Sequence, residues 1–202
     1  MIINIRGTNG SGKTTLARTF QDHPSARVVN LVDYAAPTKK DPEAIKFVTG
    51  VVTDLPGVGS VCCVGSYSQA QGGLDTVPNF ELQRMAIAHA AAICDHVVCE
   101  GILASTVAGS FVEFFTRMQI AGHKVAVCYL DTPLQMCLDR IKARQEKAGK
   151  VRDIKTDQVA DKVKAIAATR AKFDAAGIPT YTLFSREDMC EAQLHVIMGE
   201  QA

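Results

Sequence analysis

Gly7-Thr8-Asn9-Gly10-Ser11-Gly12-Lys13-Thr14 is the stretch that decides the fold. It fits G-x-x-x-x-G-K-[S/T] and stands between a short apolar run, residues 2–6 (IINIR), and a helix-compatible segment, residues 14–21. A strand that passes through a glycine-rich turn into a helix is the context in which this pattern holds phosphate. The glycines let the backbone curl until several N–H groups face one anion, and the helix N-terminus adds its partial positive charge. Gly7, Asn9, Gly10, Ser11, Gly12, Lys13, Thr14 and Thr15 are therefore read as a nucleotide cradle. Lys13 reaches the β- and γ-phosphates and the Thr14 hydroxyl holds Mg²⁺, so the cofactors implied are ATP and Mg²⁺.

Outward from this loop, strand and helix patterns alternate to the C-terminus. Strands are predicted at 2–6, 27–31, 61–67, 95–99, 124–130 and 180–183. Helices are predicted at 14–21, 43–51, 79–93 (with Asn79 as N-cap), 106–120, 133–145 (opened by Pro133), 156–175 and 186–198. Residues 54–59 hold Pro56, Gly57 and Gly59 and read as a break. The alternation predicts an α/β fold in three layers, a mostly parallel sheet of five to six strands with helices on both faces, in a single domain spanning 1–202. Ligands of such sheets sit beyond the carboxyl ends of the strands. The turns after Arg6, Leu31, Tyr67, Cys99 and Leu130 therefore point at the chemistry.

Composition agrees with one folded core. The 202 residues are 47% hydrophobic and 21% charged, which excludes a disordered tail, a fibre and a coiled-coil rod. The net charge is +1, so a basic whole-surface nucleic-acid binder is excluded and a local basic groove is not. No apolar run approaches the length of a membrane helix, and the N-terminus lacks a basic region followed by a long apolar stretch. No membrane association and a cytoplasmic location are expected. Seven cysteines with no C-x-x-C spacing read as reduced thiols, without a zinc site.

The loop and the small size of the chain resemble P-loop kinases of the nucleoside-monophosphate-kinase-like group; no N-K-x-D guanine motif is present. In kinases of this kind that phosphorylate an alcohol, an acid after the second strand takes the hydroxyl proton. Asp33, twenty residues after Lys13, stands in that position and is followed by Lys39 and Lys40 but no Arg. An alcohol needs a base and a phosphate acceptor does not, so the segment favours a hydroxyl acceptor. Glu100 ends an apolar strand (HVVCE) and is placed at the metal, through a water or directly. Arg140 and Arg144, four residues apart, share a helix face at the start of a lid of about 140–155 and neutralise charge in transfer. Arg186 flanks the adenine. The glycine-rich loop at about 66–79 is the substrate segment: Tyr67 stacks on a base, Gln69 and Asp75 reach its edges, Gly72 and Gly73 permit close approach, and Arg84 follows on the next helix.

The segments GTNGSGKTT, VGSYSQAQGGLDT, HVVCEGILAS and YLDTPLQMCLDRIKAR are together similar to phage-type P-loop kinases of DNA hypermodification. The resemblance runs from Met1 to about Leu183. It implies phosphorylation of 5-hydroxymethyluracil within DNA, a base flipped out of the duplex, Asp33 as base for the hydroxymethyl oxygen, and the host cytoplasm as the place of action. The alternatives are a soluble deoxynucleoside monophosphate or nucleoside kinase, a polynucleotide 5′-hydroxyl kinase, and a non-catalytic or hydrolytic ATP-binding module. DNA-dependent ATP turnover separates the first of these from the DNA kinase. Oligomeric state is not legible.

Overall fold

A computed structural model gives the structure, which describes residues 1–68, 72–149, 152–184 and 187–199. In chain order its elements are β1 (Ile2–Arg6), α1 (Lys13–Thr19), β2 (Arg27–Ala35), β3 (Ile45–Leu55), β4 (Gly59–Val64), α2 (Phe80–Ile93), β5 (His96–Glu100), α3 (Ile102–Thr106), α4 (Gly109–Ile120), β6 (Val125–Asp131), α5 (Leu134–Lys147), α6 (Thr156–Ala175), β7 (Thr180–Phe184) and α7 (Glu187–Gly199). A short 3₁₀ turn, Leu74–Thr76, precedes α2.

The strands form one sheet in the order β2-β3-β4-β5-β1-β6-β7. β1 lies between β5 and β6, parallel to both. Every residue of IINIR is buried, as expected of a parallel strand covered on both faces. Ile2 and its row pack under α2, α4 and α6, through Ile87, Phe111, Phe115 and Phe173. Ile3 and Ile5 pack under α1 and α7, through Leu16, Phe20, Leu194 and Ile197. Strand alternation thus builds two cores and the three layers read from the sequence. Among the described residues no helix is long and apolar enough to cross a membrane.

Two differences from the sequence reading change the site. The sheet has seven strands rather than five to six, because the segment 43–51, expected to be helical, belongs to β3. Ile45, Val48, Thr49, Val51, Val52 and Thr53 are β-branched and favour the extended chain. Val48, Gly50 and Val52 alternate inward, and Gly57 and Gly59, with φ of 75° and 109°, turn the chain tightly into β4. β3 runs antiparallel to both neighbours. Next, β2 does not end at Leu31. It crosses a bulge between Asn30 and Val32, where the His89 ring meets the Leu31 carbonyl, and continues to Ala35. The predicted helix over 106–120 is present as α4, from Gly109, and a short helix not expected from the sequence, α3, precedes it.

Arg6 ends β1 as a fully buried cation. Its guanidinium donates to Asn4 Oδ1 (2.7 Å), Ser105 O (3.0 Å) and Thr169 Oγ1 (3.4 Å), and lies 4.4 Å from the centre of the Phe173 ring. Burial pulls its pKa down to about 10, still charged at neutral pH. It ties the last residue before the phosphate loop to α3 and α6. Replacing it strands buried acceptors and opens a void. Arg6→Ala is expected to cost about 3 kcal/mol or more, read as a lower urea midpoint; a shift worth less than about 1 kcal/mol would show that this staple is dispensable.

Candidate active site

The phosphate loop keeps its curl through two left-handed glycines, Gly10 (φ 79°) and Gly12 (φ 101°). The tip of the loop sits on the first turn of α5. A Cβ at Gly10 would collide with the Cys137 carbonyl oxygen, Thr132 Oγ1 donates to Ser11 O (2.9 Å), and Arg140 Nη1 reaches Gly10 O and Ser11 O (both 3.4 Å). The helix that carries Arg140 and Arg144 is thus strapped to the loop it serves. The Thr8 and Ser11 hydroxyls are buried in the loop without partners. Lys13 folds back over it, donating to Gly7 O (2.7 Å) and Thr8 O (3.1 Å). Burial lowers its pKa, with Glu100 and then Asp75 opposing.

Glu100 ends β5 opposite Ile5 of β1 and is 1% exposed. Its Oε1 accepts the Thr14 hydroxyl at 3.0 Å. Burial pushes its pKa up to about 7, against the pull of Lys13 and the Thr14 bond, and nearby Asp75 adds to the rise. A second carboxylate, Asp75, stands in the 3₁₀ turn. Its Oδ2 accepts from Ile102 N (2.8 Å) and its Oδ1 from Leu103 N (3.3 Å), so it caps α3. Gly101 lets it approach, since a Cβ there would lie 3.0 Å from Asp75 Oδ1.

These groups line a cavity of about 580 Å³. Its walls are the loop from Thr8 to Thr15, Gly72, Asp75, Glu100, Ile102, Leu130, Arg140 and Arg144. Of the residues singled out in the sequence, the structure brings together Asn9, Gly10, Ser11, Gly12, Lys13, Thr14, Thr15, Gly72, Asp75, Glu100, Arg140 and Arg144. Gly7 contributes its carbonyl to Lys13. Gly73, at φ 63°, lies against Glu100 and Tyr67.

Other expected positions are corrected. Asp33 is inside β2, paired with Phe47, exposed, and not on the cavity wall. The cause is topological: after α1 the chain enters the sheet at its far edge, four strands from β1, at about 4.8 Å per strand. Tyr67 is no stacking platform. Its ring is buried under Gly72, where a Cβ would lie 2.6 Å from Cδ1, and its hydroxyl has no partner among the described residues. The paired glycines admit the loop backbone onto the ring rather than a ligand. Arg84 is half-buried on α2 and does not line the cavity. Gln69 and Arg186 lie outside the described residues. Sequence reasoning missed Thr132 and Cys137 as supports of the loop, Ile102 and Leu130 as walls, and the capping role of Asp75; the D-T-P stretch before α5 was the available signal for the first.

Glu100 makes stability depend on pH. Its folded pKa, about 7, is above the ordinary 4.5, so the folded state holds the proton more tightly. That contribution is complete below pH 4.5 and is lost as the pH rises through about 7. The swing is on the order of 3 kcal/mol. Denaturation of the ligand-free protein without divalent cation, from pH 5 to 8, should show the wild type losing stability relative to Glu100→Gln. Parallel profiles would mean that Glu100 is ionised throughout.

The model of the 5-hmdU DNA kinase family matches residues 1–188. A protein of Pseudomonas phage M6 named 5-hmdU DNA kinase is 36% identical over 182 residues, covering 87% of this chain and 86% of that protein. One from Pseudomonas phage PaMx11 with the same name is 33% identical over 186 residues, covering 88% and 87%. A Bacillus phage SP10 protein of that name is 28% identical over 185 residues, covering 90% of this chain and 26% of that protein. No solved structure matches the chain. With a phosphate loop, two carboxylates and two arginines around one cavity, and with the family model matched almost end to end, the chain belongs to the 5-hmdU DNA kinase family.

Proposed function

We propose that this protein transfers the γ-phosphate of ATP to the hydroxymethyl oxygen of 5-hydroxymethyluracil in phage DNA, in the host cytoplasm. The observation that carries this reading is the family match over residues 1–188, joined to a cavity in which a phosphate loop faces two carboxylates with different surroundings. Thr14 and Glu100, a hydroxyl and a carboxylate 3.0 Å apart, offer oxygen donors of the kind that suit Mg²⁺. Bound there, the ion would neutralise charge on the triphosphate.

The remaining roles belong to the chain. Loop N–H groups and Lys13 hold the phosphates; Lys13 leaves the Gly7 and Thr8 carbonyls to do so. Arg140 and Arg144, with the lid at about 140–155, bring positive charge onto the transferring group. The hydroxymethyl oxygen attacks the γ-phosphorus, the bond from that phosphorus to the β–γ bridging oxygen breaks, and ADP leaves. The alcohol proton goes to a carboxylate. Asp75 takes this role: Glu100 is offered with Thr14 to the cation, Asp33 is not on the cavity wall, and each Asp75 oxygen keeps a lone pair beside its bond to α3. The cavity is recessed among α3, α5 and the phosphate loop, so the base must leave the duplex to reach it.

The test is labelled transfer from ATP to duplex DNA carrying 5-hydroxymethyluracil, compared with thymine DNA, 5′-hydroxyl DNA, and the free nucleotides dTMP and 5-hydroxymethyl-dUMP. Only the modified duplex should be a good acceptor; preference for a free nucleotide would overturn the DNA reading. Lys13→Ala should lose transfer by orders of magnitude. Asp75→Asn should keep ATP binding and lose about 10²-fold or more in kcat, with Asp33→Asn near wild type. The reverse pair of results would return the base role to Asp33.

A further inference from the structure

Beyond the carboxyl edge of the sheet, β2 and β3 continue as a pair with no third strand beside them among the described residues, rooted in the core by Val32 and Val48. Gly50 stands opposite Val64, the last residue of β4. Past it, Val48, Phe47, Lys46 and Ile45 pair only with Val32, Asp33, Tyr34 and Ala35. At about 3.4 Å per residue this carries the hairpin roughly 14 Å beyond the end of β4. β2 runs parallel to β1, by way of antiparallel β3 and parallel β4 and β5, so the arm rises from the same edge as the phosphate loop. From residue 35 to 47 only Ala36 and Ala44 are not exposed.

This arm shows water two large apolar side chains on one face of β3, Ile45 (61% exposed) and Phe47 (51%), with Lys39 and Lys40 in the turn and Lys46 on the opposite face. Among the described residues these lysines enter no ion pair. Asp41 is partly occupied locally, accepting from Glu43 N. Asp33, Asp41 and Glu43 balance the three lysines, so the arm has no net charge to act as a general anion trap. Its chemistry is that of a ribbon with lysine at the tip and an apolar flank, suited to phosphates on one side and sugar edges on the other. Pairing of β2 with a second copy is opposed by the bulge between Asn30 and Val32, which blunts a sheet edge.

We propose that the β2–β3 arm is a duplex-contacting ribbon: Lys39, Lys40 and Lys46 hold phosphates and Ile45 and Phe47 lie against the sugars. Strand spacing puts β3 and β2 about 14–19 Å from β1. At about 3.4 Å per base pair, the contact falls four to six base pairs from the extruded base, on one side only. The proposal rests on the DNA kinase reading, and it locates the duplex that this reading requires.

The experiment measures binding of a labelled duplex with one central 5-hydroxymethyluracil, without ATP, across a KCl series. The proteins are the full chain, the K39A/K40A/K46A triple variant and the I45S/F47S double variant. The triple variant should bind about tenfold more weakly and lose about two to three from its log–log salt slope. The double variant should weaken binding with the slope unchanged. Trimming one flank of the duplex below four base pairs should abolish both differences, and trimming the other should not. Circular dichroism and ATP binding report whether the variants fold. Wild-type affinity and slope in both variants would overturn the proposal, as would a change from dimer to monomer in light scattering that accounts for the loss. A wild type that binds this duplex through the arm but transfers no phosphate to it would sink the kinase reading and leave the arm standing.

Discussion

The structure depends on holding a tight, left-handed backbone curl against a helix that leaves it no side-chain room. Gly10 adopts φ 79° with its missing Cβ directed at the Cys137 carbonyl, and Gly12 adopts φ 101° next to Arg140. Steric freedom alone would leave such a loop mobile. Here Thr132 and Arg140 bond its outward carbonyls, and Ser11 N donates to Thr8 O (3.2 Å), so the curl is held from outside and from within. An anion site made of backbone dipoles works only if the dipoles are already aligned, since aligning them during the reaction would consume the energy they supply. The strap between loop and α5 also joins two charge sources, so any displacement of the arginine helix is felt by the phosphate cradle.

Burial then sets the electrostatics. Lys13 and Glu100 are both withdrawn from water, and burial pushes each toward its neutral form, more than their mutual attraction restores. The ligand-free site therefore sits under electrostatic tension. Lys13 is satisfied by two carbonyls, Glu100 by one hydroxyl, and the Thr8 and Ser11 hydroxyls by nothing among the described residues. A triphosphate supplies what Lys13 and these hydroxyls lack, which gives the bound state an advantage built on the cost of the empty one. Arg6, one residue before the loop, contrasts with this arrangement. It too is buried, but its acceptors and aromatic faces are internal, so it serves the fold and not the ligand.

What the sequence disclosed follows from the range of the interactions involved. The phosphate loop, Glu100 at a strand end, and the pair Arg140 and Arg144 were legible because each is fixed by neighbours within a few residues: a strand, a turn, one helix face. β3 was missed because short segments with both charged and β-branched residues carry weak local preference, and pairing with β2 and β4 decided them. Asp33 and Tyr67 were misplaced for a longer-range reason. Whether a loop residue faces a cavity depends on which strand lies beside β1, and that order is set by the packing of the whole sheet. Glycine in GGLD signalled close approach correctly; it could not say that the approaching group was the Tyr67 ring.

The hairpin decides which acid lies on the cavity wall. Without β2 and β3, the first strand after α1 would lie two places from β1, and an acid at its end would face the phosphate loop. With them, that place in the sheet belongs to β4, and the acid that follows it is Asp75. Asp75 is anchored by two N–H groups of α3, and α3 is fixed from its other end by Arg6 through the Ser105 carbonyl. The acceptor side of the cavity is therefore referred back to β1, the strand that also launches the phosphate loop. The phosphate loop and Asp75 share one rigid origin, so their separation is set by a few short bonds rather than by the longer path through the edge strands. The hairpin is left free to project past the site, because nothing in the chemistry of the cavity leans on it.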